Sequence, residues 1–394
     1  TSSSASDNTN INYSNYQVRT IAGHQFHTGP NDYPAASDLL YRNEGDGTFV
    51  DVSSTSGIGQ LKAAGMGVLT ADFDEDGDED VFVANDQTAN FLLINDGHGN
   101  FEEQGLLTGI AFDRNGRANG NMGVEYADLD GDQRLDLITT TYQEEMPVYY
   151  HSLGMGLFED VTNIARLDVS LTAHVTWGIG AVDFDNDADR DLFIACGHFL
   201  DNIRFIDDRT DVKVADYLLA NDGSGRFTNV TAIAGSYFEQ VESSRGAAFD
   251  DLDNDGDVDV VVINFNAPPA LGKTEAALEN SSVFFKLVGT RSNRDALGSR
   301  VIVRNEAGTS QRLACFSGKG YESYYGRCLH VGLGSLTAAH PIRLKVQVNW
   351  PSGLVEAFPI ELAPQAKRRS AVETLVEGTG VPLSKQRDGA NSSP

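Results

Sequence analysis

Long apolar runs are missing from this sequence. No stretch approaches the about 18 uninterrupted apolar residues that a membrane helix needs. Cysteine, methionine and tryptophan are scarce, at 3, 4 and 2 residues in 394. Basic residues are outnumbered, with 29 Lys and Arg against 57 Asp and Glu, for a formal net charge of −28. Such acidity argues against a nucleic-acid backbone as partner, and against an anionic membrane surface unless a divalent cation bridges the two. No segment sustains a 3.6-residue apolar period with caps, so helices are expected to be few. The start shows no basic region followed by an apolar one, so it is not read as a signal peptide. The chain is then a mature form with its signal removed, or a cytosolic protein. No HExxH, G-x-S-x-G, P-loop, Rossmann fingerprint or CxxC occurs, which removes the common signatures of catalysis.

What is present points to an all-β protein. Glycine is abundant, at 40 residues, apolar runs are short, and 40% of the chain is hydrophobic. Abundant turn signals between short apolar runs are the mark of strand-rich folds. The length suggests two or three domains. Residues 1–20, rich in Ser, Asn and Thr as far as Tyr16, read as a weakly ordered leader. Residues 381–394 read as a flexible tail. Cys315 and Cys328 are near enough in sequence to close a hairpin disulfide in an oxidising compartment, with two free thiols as the alternative. Cys196 falls in an apolar run and is expected in a buried strand.

Four acidic segments repeat: DFDEDGDED from Asp72, DLDGDQRLD from Asp128, DFDNDADRD from Asp183 and DLDNDGDVD from Asp251. Each follows a glycine-containing apolar segment (GMGVLTA, NMGVEYA, WGIGAV, RGAAFD) and leads into a β-branched or aromatic run. A second element alternates with them, an apolar run, a Gly-x-Gly turn and an aromatic-led run, as in LLYRNEGDGTFVDVS from Leu39 and FLLINDGHGNFEEQ from Phe91. That is a β-hairpin signature. Strand, acidic loop, strand, link, strand, glycine turn, strand is one four-stranded propeller blade. The expected fold is therefore a β-propeller with a small β-rich domain after it. Both ends are partial: the Leu39 hairpin lacks an acidic loop, and the Asp251 loop lacks a glycine-turn hairpin. Either these halves join into one blade, or the ring is completed by another chain or left open.

The acidic segments have the pattern of calcium loops. Calcium takes several oxygen ligands, and alternate carboxylates on a tight loop supply them. The expected ligands are Asp72, Asp74, Asp76 and Asp80; Asp128, Asp130, Asp132 and Asp136; Asp183, Asp185, Asp187 and Asp191; and Asp251, Asp253, Asp255 and Asp259. Position seven (Asp78, Arg134, Asp189 and Asp257) offers its backbone carbonyl. Gly77 and Gly256 hold the bend at position six, where Gln133 and Ala188 imply weaker binding or strain. An EF-hand would continue to a glutamate at position twelve on a helix, whereas these loops exit into strands. About four Ca2+ ions are expected, and they would offset part of the charge. Magnesium prefers a smaller, more hydrated shell. Sites of this kind suit extracellular calcium, which favours a secreted, cell-surface or periplasmic location.

At these residues the chain resembles the FG-GAP/VCBS repeat proteins, including the integrin α-chain propeller, over residues 21–275. LVGTRSNRDALGSRVIV from Leu287, HVGLG from His330 and VNWPSG from Val348 are similar to the ASPIC/UnbV domain of cartilage acidic protein-like proteins, over residues 276–380. The resemblance implies export, further blades upstream, and binding, adhesion or matrix contact more than catalysis.

Some residues remain as binding candidates. His174, Trp177 and His198 flank the third acidic loop, where propeller loops often form a binding face; packing at a blade top is the plainer role. Tyr321, Tyr324 and Tyr325, with Lys319 and Arg327, form an aromatic, basic patch suited to a glycan or protein partner. His24 and His27, three apart in a segment read as loop, are a chance pair rather than a metal site. Arg291, Asn293, Arg294 and Asp295 read as a turn network. Sequons lie at Asn12, Asn229, Asn280 and Asn391. The leading expectation is a noncatalytic binding, adhesion or assembly module with a docked or appended C-terminal domain. The alternatives are an enzyme or biosynthetic accessory with its site near His174 and His198, and a subunit of a larger surface assembly.

Overall fold

Each acidic segment is the connection between two antiparallel strands, and that unit recurs along the chain. The computed structural model describes residues 18–21, 23–27, 29, 32–275, 280–306, 308–335, 341–362 and 372–383. Blade I comprises Gly65–Ala71, Asp80–Asn85, Phe91–Asn95 and Phe101–Glu103. Blade II comprises Val124–Ala127, Asp136–Thr139, Val148–Gly154 and Leu157–Asp160. Blade III comprises Thr176–Val182, Asp191–Cys196, Tyr217–Asn221 and Phe227–Asn229. Blade IV has three strands, Ser244–Asp250, Asp259–Asn264 and Ala270–Gly272. Among the described residues the α-helices are two single turns, Ser53–Ser56 and Gly105–Thr108.

The apolar cores lie between blades, which explains why the second strands read as nearly continuous hydrophobic runs. Successive strand residues point to opposite faces, and here both faces are covered. Leu137 and Tyr150 of blade II join Leu69, Phe82 and Leu92 of blade I. Ile138 and Tyr149, their immediate neighbours, join Ile179, Leu192 and Ile194 of blade III. Phe193, between Leu192 and Ile194, turns instead to Phe249 and Val260 of blade IV. Full burial of such a side chain is worth about 1.5–3 kcal/mol.

Among the described residues the opening hairpin, Tyr41–Asn43 with Phe49–Asp51, is a two-stranded sheet of its own and does not pair with the strands of blade IV. Within those residues the two partial ends do not join into one blade. Val18–Ile21 pairs with His24–His27, so the expected leader ends earlier than residue 20 and the segment read as loop is strand. Residues 1–17 of that leader lie outside the described residues. His24 stacks on Phe205 at 3.9 Å between ring centroids, and Phe26 packs with Leu200 and Ile203.

The C-terminal domain is a pair of sheets sharing one core. Asn280–Val288 runs between Cys328–Ser335 and, in parallel, Val372–Val376. The second sheet orders Ser310–Cys315, Ser299–Asn305, Ile342–Asn349, Val355–Leu362 and Val381–Pro382. Val283, Phe285 and Leu287 from the first meet Val301, Val346 and Val348 from the second. Part of the expected tail is thus a strand, and its residues 384–394 lie outside the described ones. Cys315 and Cys328 are free thiols on different sheets, and Cys196 is a buried strand residue as expected. The turn network is confirmed in form: the Glu377 carboxylate accepts from the amides of Thr290, Arg291 and Ser292 at 2.7–2.9 Å, and Asn293 brackets Leu297.

The first strands of successive blades approach so closely that only glycine fits. A Cβ on Gly67 would strike the Met122 carbonyl, and one on Gly123 the Trp177 carbonyl. On Gly178 it would lie 2.6 Å from the Arg245 carbonyl, and on Gly246 2.8 Å from that of Tyr321. The last partner belongs to the C-terminal domain. Its segment from Phe316 to Gly326 crosses the first strands of all four blades. Thr70 donates its amide to Ser317 O at 2.8 Å, and Val124 and Gly320 exchange hydrogen bonds of 3.0 and 2.6 Å. Tyr325 Oη donates to Glu125 and to Ile179 O. Lys319 Nζ is 3.7 Å from Glu125 Oε1 and 3.9 Å from the Tyr325 ring centroid. Tyr321 and Tyr325 are buried, and Lys319 is largely so; the expected exposed patch is therefore an internal joint, with Tyr324 its exposed tyrosine.

Removing one partner of a buried ion pair strands the other charge and costs about 3–5 kcal/mol. Lys319→Met and Glu125→Gln should each lower the urea-unfolding free energy by roughly 3 kcal/mol, and the double variant by clearly less than their sum. A fully additive double variant would show that the two side chains do not act together.

Candidate functional site

In all four loops one hydrogen-bond pattern shapes the acidic segment. The first aspartate folds back onto the amide at position six: Gln133 to Asp128, Ala188 to Asp183 and Gly256 to Asp251, each at 2.9–3.0 Å. In loop I the equivalent bond runs from Gly77 to Asp72. Positions four and six lie in the left-handed region throughout. Position four holds Glu75, Gly131, Asn186 and Asn254, and position six holds Gly77, Gln133, Ala188 and Gly256. Ala188, at φ 91°, and Gln133, at φ 70°, hold without glycine a conformation that disfavours side chains.

The ninth residue fixes the loop to its blade. One oxygen of Asp80, Asp136, Asp191 and Asp259 accepts from the amide at position two, and the other from an amide of the third strand, at Asn95, Ser152 and Asn221, or just beyond it, at Thr274. These aspartates, expected as ligands, are also the loops' anchors.

Ligand atoms of Asp72, Asp74 and Asp80 lie within 4.8 Å of one another, as do those of Asp183, Asp185 and Asp187, and of Asp251, Asp253 and Asp255. In loop II the group is Asp130, Asp132 and His151. His151 Nδ1 is 3.1 Å from both Asp130 Oδ2 and Asp136 Oδ1. Sequence reasoning missed His151, as it missed Lys273, whose Nζ is 2.5 Å from Asp253 Oδ2. His151 lies on its blade's third strand and Lys273 directly after the end of its own, and aligning the hairpins with the loops would have shown them. It also missed Arg300 and Arg312 of the C-terminal domain, which reach Asp72 at 3.0 Å and Glu75 at 2.7 Å. Nothing in the repeat announces those two.

The donors fit a cation. Asp72 Oδ1, Asp78 Oδ1 and Asp189 Oδ1 are buried carboxylate oxygens with no hydrogen-bond partner. A buried oxygen of this kind is expected to be paired, and an oxygen-seeking ion is what the surrounding donors would accept.

His174, Trp177 and His198 are engaged internally. Trp177 Nε1 donates to Gly197 O at 2.6 Å, under the Arg245 guanidinium and beside Tyr321. His198 is buried, and its Nδ1 accepts from the Leu200 amide at 3.0 Å. Burial and nearby Arg245 push its pKa down to about 4, so the ring is neutral and Nε2 carries the proton toward Gln143. His174 bonds Thr210 Oγ1 at 3.0 Å and lines an open cleft of about 670 Å³ with Asp168, Arg209, Lys213 and Tyr217.

Comparison with known proteins bears on this arrangement. The family described as FG-GAP-like repeat matches residues 29–83, 72–139 and 128–194, and the family described as ASPIC and UnbV matches residues 289–369. The chain carries FG-GAP-like repeats and an ASPIC/UnbV domain. Cartilage acidic protein 1 of Mus musculus is 24% identical over 325 residues, covering 81% of this chain and 46% of the mouse protein. The Homo sapiens protein of that name is 24% identical over 327 residues, covering 81% and 45%. The chain thus spans under half the length of these curated relatives. An Agrocybe aegerita lectin described for recognition of non-reducing terminal N-acetylglucosamine aligns at TM-score 0.34 and 18% identity over 59% of each chain. Trypanosoma rangeli sialidase aligns at 0.32 and 11% over 88% of this chain and 70% of its own. Neither score is high enough to bear on function.

The FG-GAP loops are electrostatically costly without an ion. Burial, reinforced by neighbouring carboxylates, pushes Asp80, Asp136 and Asp191 up to about 7 and Asp183 and Asp189 up to about 8. A carboxyl whose pKa is raised on folding binds more protons folded than unfolded, so stability falls as pH rises between the two values. The chelated protein should therefore lose thermal stability steadily from about pH 4 to pH 8, and added calcium should flatten that slope. An ion-free protein equally stable at both ends would mean that these carboxylates are neutralised by something else.

Proposed function

We propose that this chain is a calcium-loaded, exported β-propeller module that binds a protein or glycan partner and catalyses no reaction of its own. The reading rests on the buried, unpaired carboxylate oxygens of Asp72, Asp78 and Asp189 within clusters of further aspartates. Leaving a buried polar group unpaired costs about 1–3 kcal/mol, and more for a charge. Calcium suits an all-oxygen, irregular shell of this kind, whereas magnesium demands a tighter octahedron. Asp72, Asp74, Asp76 and Asp80 with the Asp78 carbonyl would hold an ion in loop I, and Asp183, Asp185, Asp187 and Asp191 with the Asp189 carbonyl in loop III. Asp128, Asp130, Asp132 and Asp136 with the Arg134 carbonyl, and Asp251, Asp253, Asp255 and Asp259 with the Asp257 carbonyl, are the corresponding sets in loops II and IV. When bound, calcium supplies positive charge that ties the loop together. The strands on either side then hold the blade edges fixed for a partner.

An extracellular or periplasmic setting fits sites filled by millimolar calcium, and the relatives' naming for cartilage supports it. His198, the residue on which an enzyme reading would centre, is buried and hydrogen-bonded to Leu200 and Gln143. A second reading, a subunit of a larger assembly, is favoured by the opening hairpin. Tyr41 and Phe49 there are 53% and 62% exposed, although the matching Leu93 and Phe227 of complete blades are buried. A compact monomer in sedimentation at high concentration would count against it.

Calcium that binds only the folded chain stabilises it by about 2.7 kcal/mol per site at one hundred times its Kd. Exhaustive chelation should lower Tm by about 5 °C or more, with recovery on adding calcium and little recovery with magnesium. An unchanged Tm would overturn the calcium reading and the setting inferred from it.

A further inference from the structure

The four loops share one backbone design but differ in what meets their carboxylates. Two positions make the difference. One is the residue, on the third strand or directly after it, that precedes the amide anchoring the ninth aspartate. Those anchoring amides are Asn95, Ser152, Asn221 and Thr274, so the preceding residues correspond: Ile94, His151, Ala220 and Lys273. Blades I and III place an uncharged side chain there. Blade II places an imidazole 3.1 Å from Asp130 and Asp136, and blade IV an ammonium 2.5 Å from Asp253 and 3.5 Å from Asp255.

The other is position seven, which divides the loops the same way. Asp78 and Asp189 each keep a buried oxygen without a partner. The glycine turns of their own hairpins close over them: a Cβ on Gly97 would lie 2.7 Å from Asp78 Oδ2, and one on Gly223 3.0 Å from Asp189 Oδ2. In loop II position seven is Arg134, which pairs with Asp132 and donates to Ser152 O at 2.7 Å. In loop IV it is Asp257, buried and already accepting from Asn186 Nδ2 at 2.8 Å. The census of orphaned oxygens agrees: among the described residues they occur at the aspartates of loops I and III, and at none in loops II and IV. Arg300 touches Asp72 Oδ2 and leaves Oδ1 unmet, so it does not replace an ion in loop I. Asp72 itself is 10% exposed.

We infer that loops I and III are built to be filled by a hard divalent cation, whereas loops II and IV carry built-in cations, Arg134 in one and Lys273 in the other, so that the chain takes up two tightly held ions rather than four. The inference rests on the calcium reading and sets its stoichiometry. An ion entering loop IV must displace an ammonium from two carboxylates, and one entering loop II must displace a guanidinium and an imidazole. Among the described residues loop III shows no such side chain on its clustered carboxylates, and in loop I Arg300 takes one oxygen of Asp72 only; the ligand atoms of Asp72, Asp74 and Asp80, and of Asp183, Asp185 and Asp187, already lie within 4.8 Å of one another. In blades I and III rigidity then depends on the ion, and in blades II and IV on side chains that calcium-poor surroundings do not remove.

Calorimetric titration of the chelated full chain with CaCl2 at neutral pH and moderate salt tests this. The expected result is close to two tight ions per chain. Lys273→Ala, a substitution at a half-exposed side chain, should raise the count to three by tightening loop IV tenfold or more, and Asp187→Ala, which removes a carboxylate of the loop III cluster, should lower the wild-type count to one. Four ions of similar affinity, with Lys273→Ala indistinguishable from wild type, would overturn the inference and leave the calcium reading standing. No ion bound at all would remove the calcium reading and the inference with it. The wild-type count stands by itself should either variant fold poorly.

Discussion

The close approach of the first strands is the constraint on which the rest of this structure depends. Where Gly67, Gly123, Gly178 and Gly246 face neighbouring carbonyls, no side chain can intervene, and the blades are held at a spacing set by backbone alone. The fourth glycine faces Tyr321, and Gly318 packs against the Val68 carbonyl, so the C-terminal domain supplies the strand-like segment that the blades share. Propeller and C-terminal domain are in this sense one folding problem. Lys319 and Glu125 set a buried charge pair at its centre, a choice that favours one register of docking over others, since a displaced segment would leave both charges unpaired.

That fixed spacing is what makes the acidic loops possible. The loops leave the first strands where the blades have just been clamped, and the ninth aspartate of each loop ties it to two further strands. A loop so constrained cannot spread its carboxylates apart to relieve their repulsion, so the relief must come from a counter-charge. Loop II meets Arg134, loop IV meets Lys273, and loop I receives Arg300 from the C-terminal domain. The calcium proposed above would meet the remaining demand and link structure to binding.

Much of this was legible in the sequence because it repeats. The spacing of the aspartates, the Gly-x-Gly turns and the glycine before each loop recur, and recurrence is what separates a structural device from a chance acidic run. Blade boundaries followed from the same pattern, and the C-terminal domain from a resemblance carried by separate motifs that do not repeat. The fate of Tyr321 and Tyr325 did not. A run of aromatic and basic residues looks the same whether it faces solvent or a second domain, and its partners, Glu125, Phe249 and Trp177, lie more than seventy residues away in the chain. His174 and His198, expected beside the third acidic loop, lie at the opposite end of that strand pair, where Thr176 faces Cys196, and are satisfied by Thr210, Leu200 and Gln143, none of which belongs to a repeated motif. His151 and Lys273 were missed for a different reason: they break the repeat, and pattern matching discards what does not recur.

Native-state hydrogen exchange, read by mass spectrometry over the peptide spanning Phe316 to Gly326, tests the central claim most directly. If that segment is part of the propeller's core, the amide of Gly320 should exchange as slowly as that of Val124, its hydrogen-bonding partner, and both should open only with the blades. Rapid exchange at Gly320 while the first strands stay protected would show a domain merely resting against the propeller, and would contradict a core shared between the two.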